Sequence, residues 1–126
     1  MNVLEADPEN FNRLKINRPA AINIHGGLCS DSRLLHYVNE GEIAVRGFVE
    51  FMDPAYLEFW HKSLVNNPAA VNELPTIPCL PVKHLLNNLQ IDHIDVWILD
   101  VEGAEMSVLQ STDFEKVHFS SIVMEW

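Results

Sequence analysis

Cysteine is scarce in this chain, and so are positive charges, paired glycines and long apolar runs. Two cysteines, Cys29 and Cys79, among 126 residues are too few for the disulfide framework of a small secreted domain. Neither stands in a metal-ligand spacing. They read as buried free thiols, because unpaired cysteine is among the most buried residue types. The six histidines form no His-Glu-x-x-His pattern and no Cys/His cluster, so no metal site is expected. Lysine and arginine total eight against 18 acidic residues, a net charge of -10. That balance argues against nucleic acid as a partner, which demands a basic footprint. No apolar stretch approaches the roughly 18 residues of a membrane span, and the first residues lack a basic-then-apolar secretory pattern. A cytoplasmic protein is the resulting expectation.

What is present is enough for a core. Hydrophobic residues make up 48% of the chain, and its length fits one domain or part of one. Asn2 to Glu5 reads as the end of a strand. Asp7 suits an N-cap and Pro8 a first helical position, for a helix running to about Asn17. Ala20 to His25 is a short strand broken by Gly26-Gly27. Leu34–Val38 and Ile43–Phe51 read as a hairpin turning at Asn39-Glu40-Gly41. Asp53-Pro54 opens a second helix, with Leu57, Trp60 and Leu64 at helical spacing and Asn66-Asn67-Pro68 as its stop. Thr76 to Leu80 is a strand. Val82, Leu85, Leu86 and Leu89 then give a third helix. The aromatics Phe48, Phe51, Tyr56, Phe59 and Trp60 read as core.

The segment Asp95 to Leu109 carries the most information. An apolar run, Val96 to Leu99, leads into Asp100, then Glu102, then Gly103 and a short amphipathic helix to about Gln110. That is the pattern of a buried parallel strand followed by a tight turn, before a closing strand from Ser120 to Trp126. Strands alternating with helices predict a parallel sheet with helices on its faces. In such sheets ligands lie outside the carboxyl ends of the strands, where Glu5 and Asp100 fall. The same carboxylates also suit a purely structural role near helix starts, where they cap free N–H groups and face the positive end of the dipole.

Asp95, Leu99-Asp100-Val101-Glu102-Gly103-Ala104-Glu105 and Val108-Leu109 resemble the signature segment of the FkbM-type methyltransferases. Leu4-Glu5-Ala6-Asp7-Pro8-Glu9-Asn10-Phe11 is similar to that family's second-strand motif, in the same order and at roughly the same spacing. The resemblance implies a Rossmann-like class I methyltransferase fold, α/β, incomplete at both ends, with residues 1–126 as a partial FkbM-type domain. It implies S-adenosyl-L-methionine as cofactor and a small-molecule or sugar hydroxyl as acceptor. Glu5 would hold the cofactor ribose. Leu28 and Asp31, in the loop after the third strand of the full fold, would approach the adenine. Asp100 would face the methionine end and the acceptor as the catalytic base, with Glu102 beside it, while Glu105 is expected to be structural. A catalytically inactive relic acting as an interaction module is the alternative.

Two departures accompany the match. The first strand and Gly-rich turn of the family should precede Glu5 by some 20 residues, and no Gly-x-Gly occurs in the chain. A fragment, marginal when isolated, is therefore expected. Ile98 occupies a position where relatives often carry Lys, and it reads as a more core-like strand residue.

Overall fold

The computed structural model describes residues 1–101 and 103–125. In chain order these form β1 (Asn2–Glu5), α1 (Pro8–Asn17), β2 (Ile22–His25), β3 (Gly27–Leu28), β4 (Arg33–Val38), β5 (Gly47–Phe48) and α2 (Pro54–Trp60). There follow α3 (Lys62–Asn66), β6 (Thr76–Leu80), α4 (Val82–Asn88), β7 (His93–Leu99), α5 (Glu105–Gln110) and β8 (His118–Met124). Short 3-10 turns occupy Ile43–Val45, Val49–Phe51 and Pro68–Glu73. The chain is thus of mixed α/β character.

The strands do not join in one parallel sheet. Among the described residues they make three small sheets: β1-β2, then β3-β6-β4-β5, then β7-β8. The first and last are parallel, with Glu5 beside His25 in one and Leu99 beside Met124 in the other. The expected hairpin is present as β4-β5, antiparallel, with Tyr37 opposite Phe48. Its second strand is far shorter than the sequence suggested, because 3-10 turns take the residues on either side.

The chain divides into two compact units, residues 1–27 with 34–78 and residues 28–33 with 79–126. In the first, Leu35, Tyr37, Val38 and Ile77 are buried. Helix α1 starts where Asp7 accepts hydrogen bonds from the N–H groups of Glu9 and Asn10, and Pro8 supplies the preset φ of a first helical residue. Asp53 caps α2 through Tyr56 N–H in the same manner. One continuous helix does not run from Pro54 to Asn66; it breaks at His61, a buried residue whose Nε2 lies 2.7 Å from the Val45 carbonyl. The aromatic set is not core: Phe48, Phe51 and Tyr56 are half-buried, with Phe48 edge-on against Tyr37 and Phe51, whereas Phe59 and Trp60 are exposed and contact each other.

In the second unit the core is Leu28, Cys29, Cys79, Val82, Leu86, Leu99, Ala104, Val108 and Val117. Here one expectation is overturned. Cys29 and Cys79 are buried, but they are not free thiols: they form a disulfide across 50 residues of sequence, with their Cα atoms 5.8 Å apart. The cause is local, since Cys29 N–H donates to the Leu80 carbonyl and so draws the loop after β3 against the end of β6.

Strand β7 also departs from its reading. It is parallel, as expected, but of the run 96–99 only Leu99 is buried, and Ile98 is 74% exposed. Among the described residues β7 pairs with β8 alone, so an apolar sequence is left without a covering layer. Ile98 is therefore not core-like. Ile98→Lys is expected to change stability by no more than about 0.5 kcal/mol, the range of ordinary surface substitutions. Urea unfolding of the two chains checks this, and a loss of several kcal/mol would mean that the side chain is buried after all.

Candidate functional site

Glu5 is the last residue of β1, and its place follows from the backbone ladder. Its carbonyl accepts from Gly26 N–H at 3.1 Å, which continues the parallel pairing one step past His25. Its carboxylate turns back on its own chain, where Oε1 accepts the N–H of Asp7 at 2.8 Å. The side chain is half-buried, and burial pushes its pKa above the ordinary glutamate value; the Asp7 N–H bond opposes that rise in part. His25, its ladder neighbour, stacks on Phe11 with ring centres 4.6 Å apart and holds Nε2 3.1 Å from the Ala6 carbonyl.

Behind Glu5 lies a network that the sequence did not announce. Asp7 is 2% exposed. Its Oδ1 caps α1, while Oδ2 accepts from Arg46 Nη1 at 3.2 Å and from the Tyr37 hydroxyl at 3.4 Å. Arg46 Nη1 also reaches Glu9 Oε2 at 3.0 Å, and its Nε and Nη2 both donate to the Gly41 carbonyl. Gly41 has φ +81, a backbone region that glycine enters without steric cost. Burial raises the Asp7 pKa, but the N–H bonds of Asn10 and Glu9 together with Arg46 outweigh it, and the group is held below the usual aspartate range. The Tyr37 hydroxyl is pushed up strongly, first by burial and then by the charges of Asp7 and Glu5. No spacing rule links Asp7 to residues 30 and 39 positions away. The Asp-Pro cap was the only local signal.

The other expected site residues belong to the second unit. Leu28 is buried in β3, so its side chain belongs to the core. Asp31 is exposed, accepts from the Ser30 hydroxyl and lies 3.7 Å from Arg33 Nε. Asp100 follows β7 directly and is exposed. It stands upstream of α5, which begins only at Glu105, and the N–H groups of Val101 and Gly103 are served by Glu105 instead. Glu105 Oε1 accepts from Val101 at 3.1 Å and from Gly103 at 3.3 Å, which fits the structural role expected of it. Gly103, at φ +97, gives the turn the left-handed residue it needs. Glu102 lies outside the described residues. Among the described residues no group of three or more His, Cys, Asp or Glu side chains could hold a metal ion, and no helix is long and apolar enough to cross a membrane.

The arrangement thus offers an oriented carboxylate at the carboxyl end of parallel β1 and an exposed one at the carboxyl end of parallel β7. Compared with known families, residues 2–126 match the family model of the Methyltransferase FkbM domain. No curated protein and no solved structure matches the chain.

Proposed function

The chain belongs to the FkbM methyltransferase family, and on that premise we propose that it uses S-adenosyl-L-methionine to methylate a hydroxyl of a small molecule or sugar. One observation carries the reading: Glu5, half-buried at the end of a parallel strand, with its carboxylate oriented by Asp7 N–H. A carboxylate oriented in this way fits a vicinal diol, because its two oxygens carry about four acceptor positions and Asp7 uses one. Glu5 would hold the ribose. Leu28 and Asp31 would flank the adenine, Leu28 through its backbone because its side chain is buried. Asp100 and Glu102 would line the methionine end. Within each unit the carboxylate stands at the carboxyl end of a parallel strand, β1 or β7, which is where ligands of parallel α/β sheets lie.

When bound, the cofactor supplies a methyl group already activated on its sulfonium. The chain then has two tasks, to align the acceptor oxygen and to remove its proton. Asp100 would accept that proton as general base. Transfer of labelled methyl to a panel of sugars and small hydroxylated molecules tests the reading. Asp100→Asn should cut turnover by about 100-fold, a far larger loss than any it causes in S-adenosylhomocysteine affinity. Transfer at the wild-type rate by that variant would remove Asp100 from the step.

The cytoplasmic location expected from the sequence stands against the Cys29–Cys79 disulfide, and one measurement decides between them. A reducing cytosol would keep Cys29 and Cys79 as thiols, whereas their disulfide suits an oxidising compartment. Thiol labelling of protein taken directly from cells separates the two.

A further inference from the structure

We propose that Arg46, together with Tyr37, is a positioning residue for Glu5, acting through Asp7. The inference rests on Glu5 being the ribose-binding group, and it adds a residue from a distant turn to that site. Asp7 is the hub. Its backbone N–H fixes Glu5 Oε1 at 2.8 Å, and its side chain is fixed in turn by four donors, the N–H groups of Glu9 and Asn10, the Tyr37 hydroxyl and Arg46 Nη1. A carboxylate 2% exposed cannot fall back on water if one of these is lost. Arg46 is the only cation among the four, and its side chain is itself only 13% exposed. It is anchored at its other edge by two bonds to the Gly41 carbonyl. Arg46 therefore joins the turn before β5 to the start of α1, and the residue held between them is the one that orients Glu5.

Removing Arg46 leaves Asp7 buried with no countercharge. The capping turn from Glu5 to Asn10 then relaxes, and Glu5 loses a defined N–H partner. An N–H donor favours the ionised form of a carboxylate, so its loss should raise the pH at which Glu5 titrates. The groups facing Glu5 are Asp7 on its own turn, His25 on β2 and Tyr37 on β4, and none of these is altered in an Arg46 variant.

The test follows the Glu5 carboxyl carbon by NMR across an acid titration in the full chain, with S-adenosylhomocysteine affinity measured by calorimetry at neutral pH. Arg46→Met should move the Glu5 midpoint upward and weaken binding roughly fivefold, about what the orientation of one hydrogen bond contributes. Arg46→Lys, which restores the charge, should recover part of both. If Arg46→Met does not fold, Tyr37→Phe removes one Asp7 bond in a milder way and should shift the midpoint in the same direction. A purely structural Arg46 would lower the melting temperature and leave the Glu5 midpoint in place; that result overturns the proposal. A wild-type chain that binds no S-adenosylhomocysteine, yet shows the midpoint shift in Arg46→Met, would uphold the positioning link and refute the cofactor reading.

Discussion

Reducing the Cys29–Cys79 disulfide should lower the stability of this chain by about 4 kcal/mol, by the chain-entropy relation for a closed loop of this length. The bridge spans 50 residues, so it forbids a large share of the conformations open to the unfolded chain. Both cysteines are almost fully buried, at 0% and 1% exposure, so in the folded protein they are shielded from reductant. For a domain whose total stability is on the order of 5–15 kcal/mol, such a loss is severe. It is measured as the difference in urea midpoint between oxidised protein and protein unfolded and refolded with reductant. A Cys29→Ala, Cys79→Ala double variant should reproduce the reduced value and become insensitive to reductant. Coincident midpoints for oxidised and reduced chains would show that the bridge does not form in solution.

Asp7→Ala should destabilise the chain by about 3 kcal/mol, adding a lost N-cap to a buried donor left without its acceptor. Three consequences combine: the first turn of α1 loses the acceptor for two N–H groups, the Tyr37 hydroxyl loses its partner, and Arg46 keeps only Glu9 and Gly41. Asp7→Asn, which retains the capping oxygen, should cost less. The pH dependence has a definite sign. Asp7 is held below its ordinary value of 3.8, so its contribution is fully present above that pH and is lost as pH falls through the lower, folded value. Glu5 acts in the opposite sense. Its folded pKa lies above 4.5, so its ionisation opposes folding, and that opposition disappears as pH falls. Acid unfolding of Asp7→Ala should therefore show a flatter loss of stability below about pH 4 than the wild type does. An unchanged acid limb would mean that Asp7 is not the group whose protonation unfolds the chain.

Local chemistry was legible in the sequence; the long-range pairing was not. The Asp7-Pro8 and Asp53-Pro54 starts were readable because a cap and a preset φ are properties of adjacent residues, and both hold. Thr76–Leu80 was readable as a short apolar run ahead of Pro81 in spite of Pro78 within it, and the strand has those bounds. The break of the second helix at His61 was hidden, because the ring's partner is a carbonyl 16 residues away. Strand β3, only two residues long, is too short to carry a periodic signal. The apolar run in β7 suggested burial, but burial depends on what covers a sheet, and no periodicity encodes that. For the candidate site, β1 ends at Glu5 and β7 directly before Asp100, and those places at strand ends were legible. The Asp7, Tyr37 and Arg46 network behind Glu5 was not, because buried ion pairing between distant segments leaves no spacing to read.

Under the proposed function the chain binds S-adenosylmethionine through Glu5. Calorimetric titration of S-adenosylhomocysteine into the folded chain, beside Glu5→Ala, tests it most directly. The expected result is saturable heat from the wild type and a loss of affinity of at least about tenfold in Glu5→Ala, since a charge-assisted bond to each of two hydroxyls is removed. Equal affinity in the two folded proteins, or no heat from the folded wild type, would contradict it.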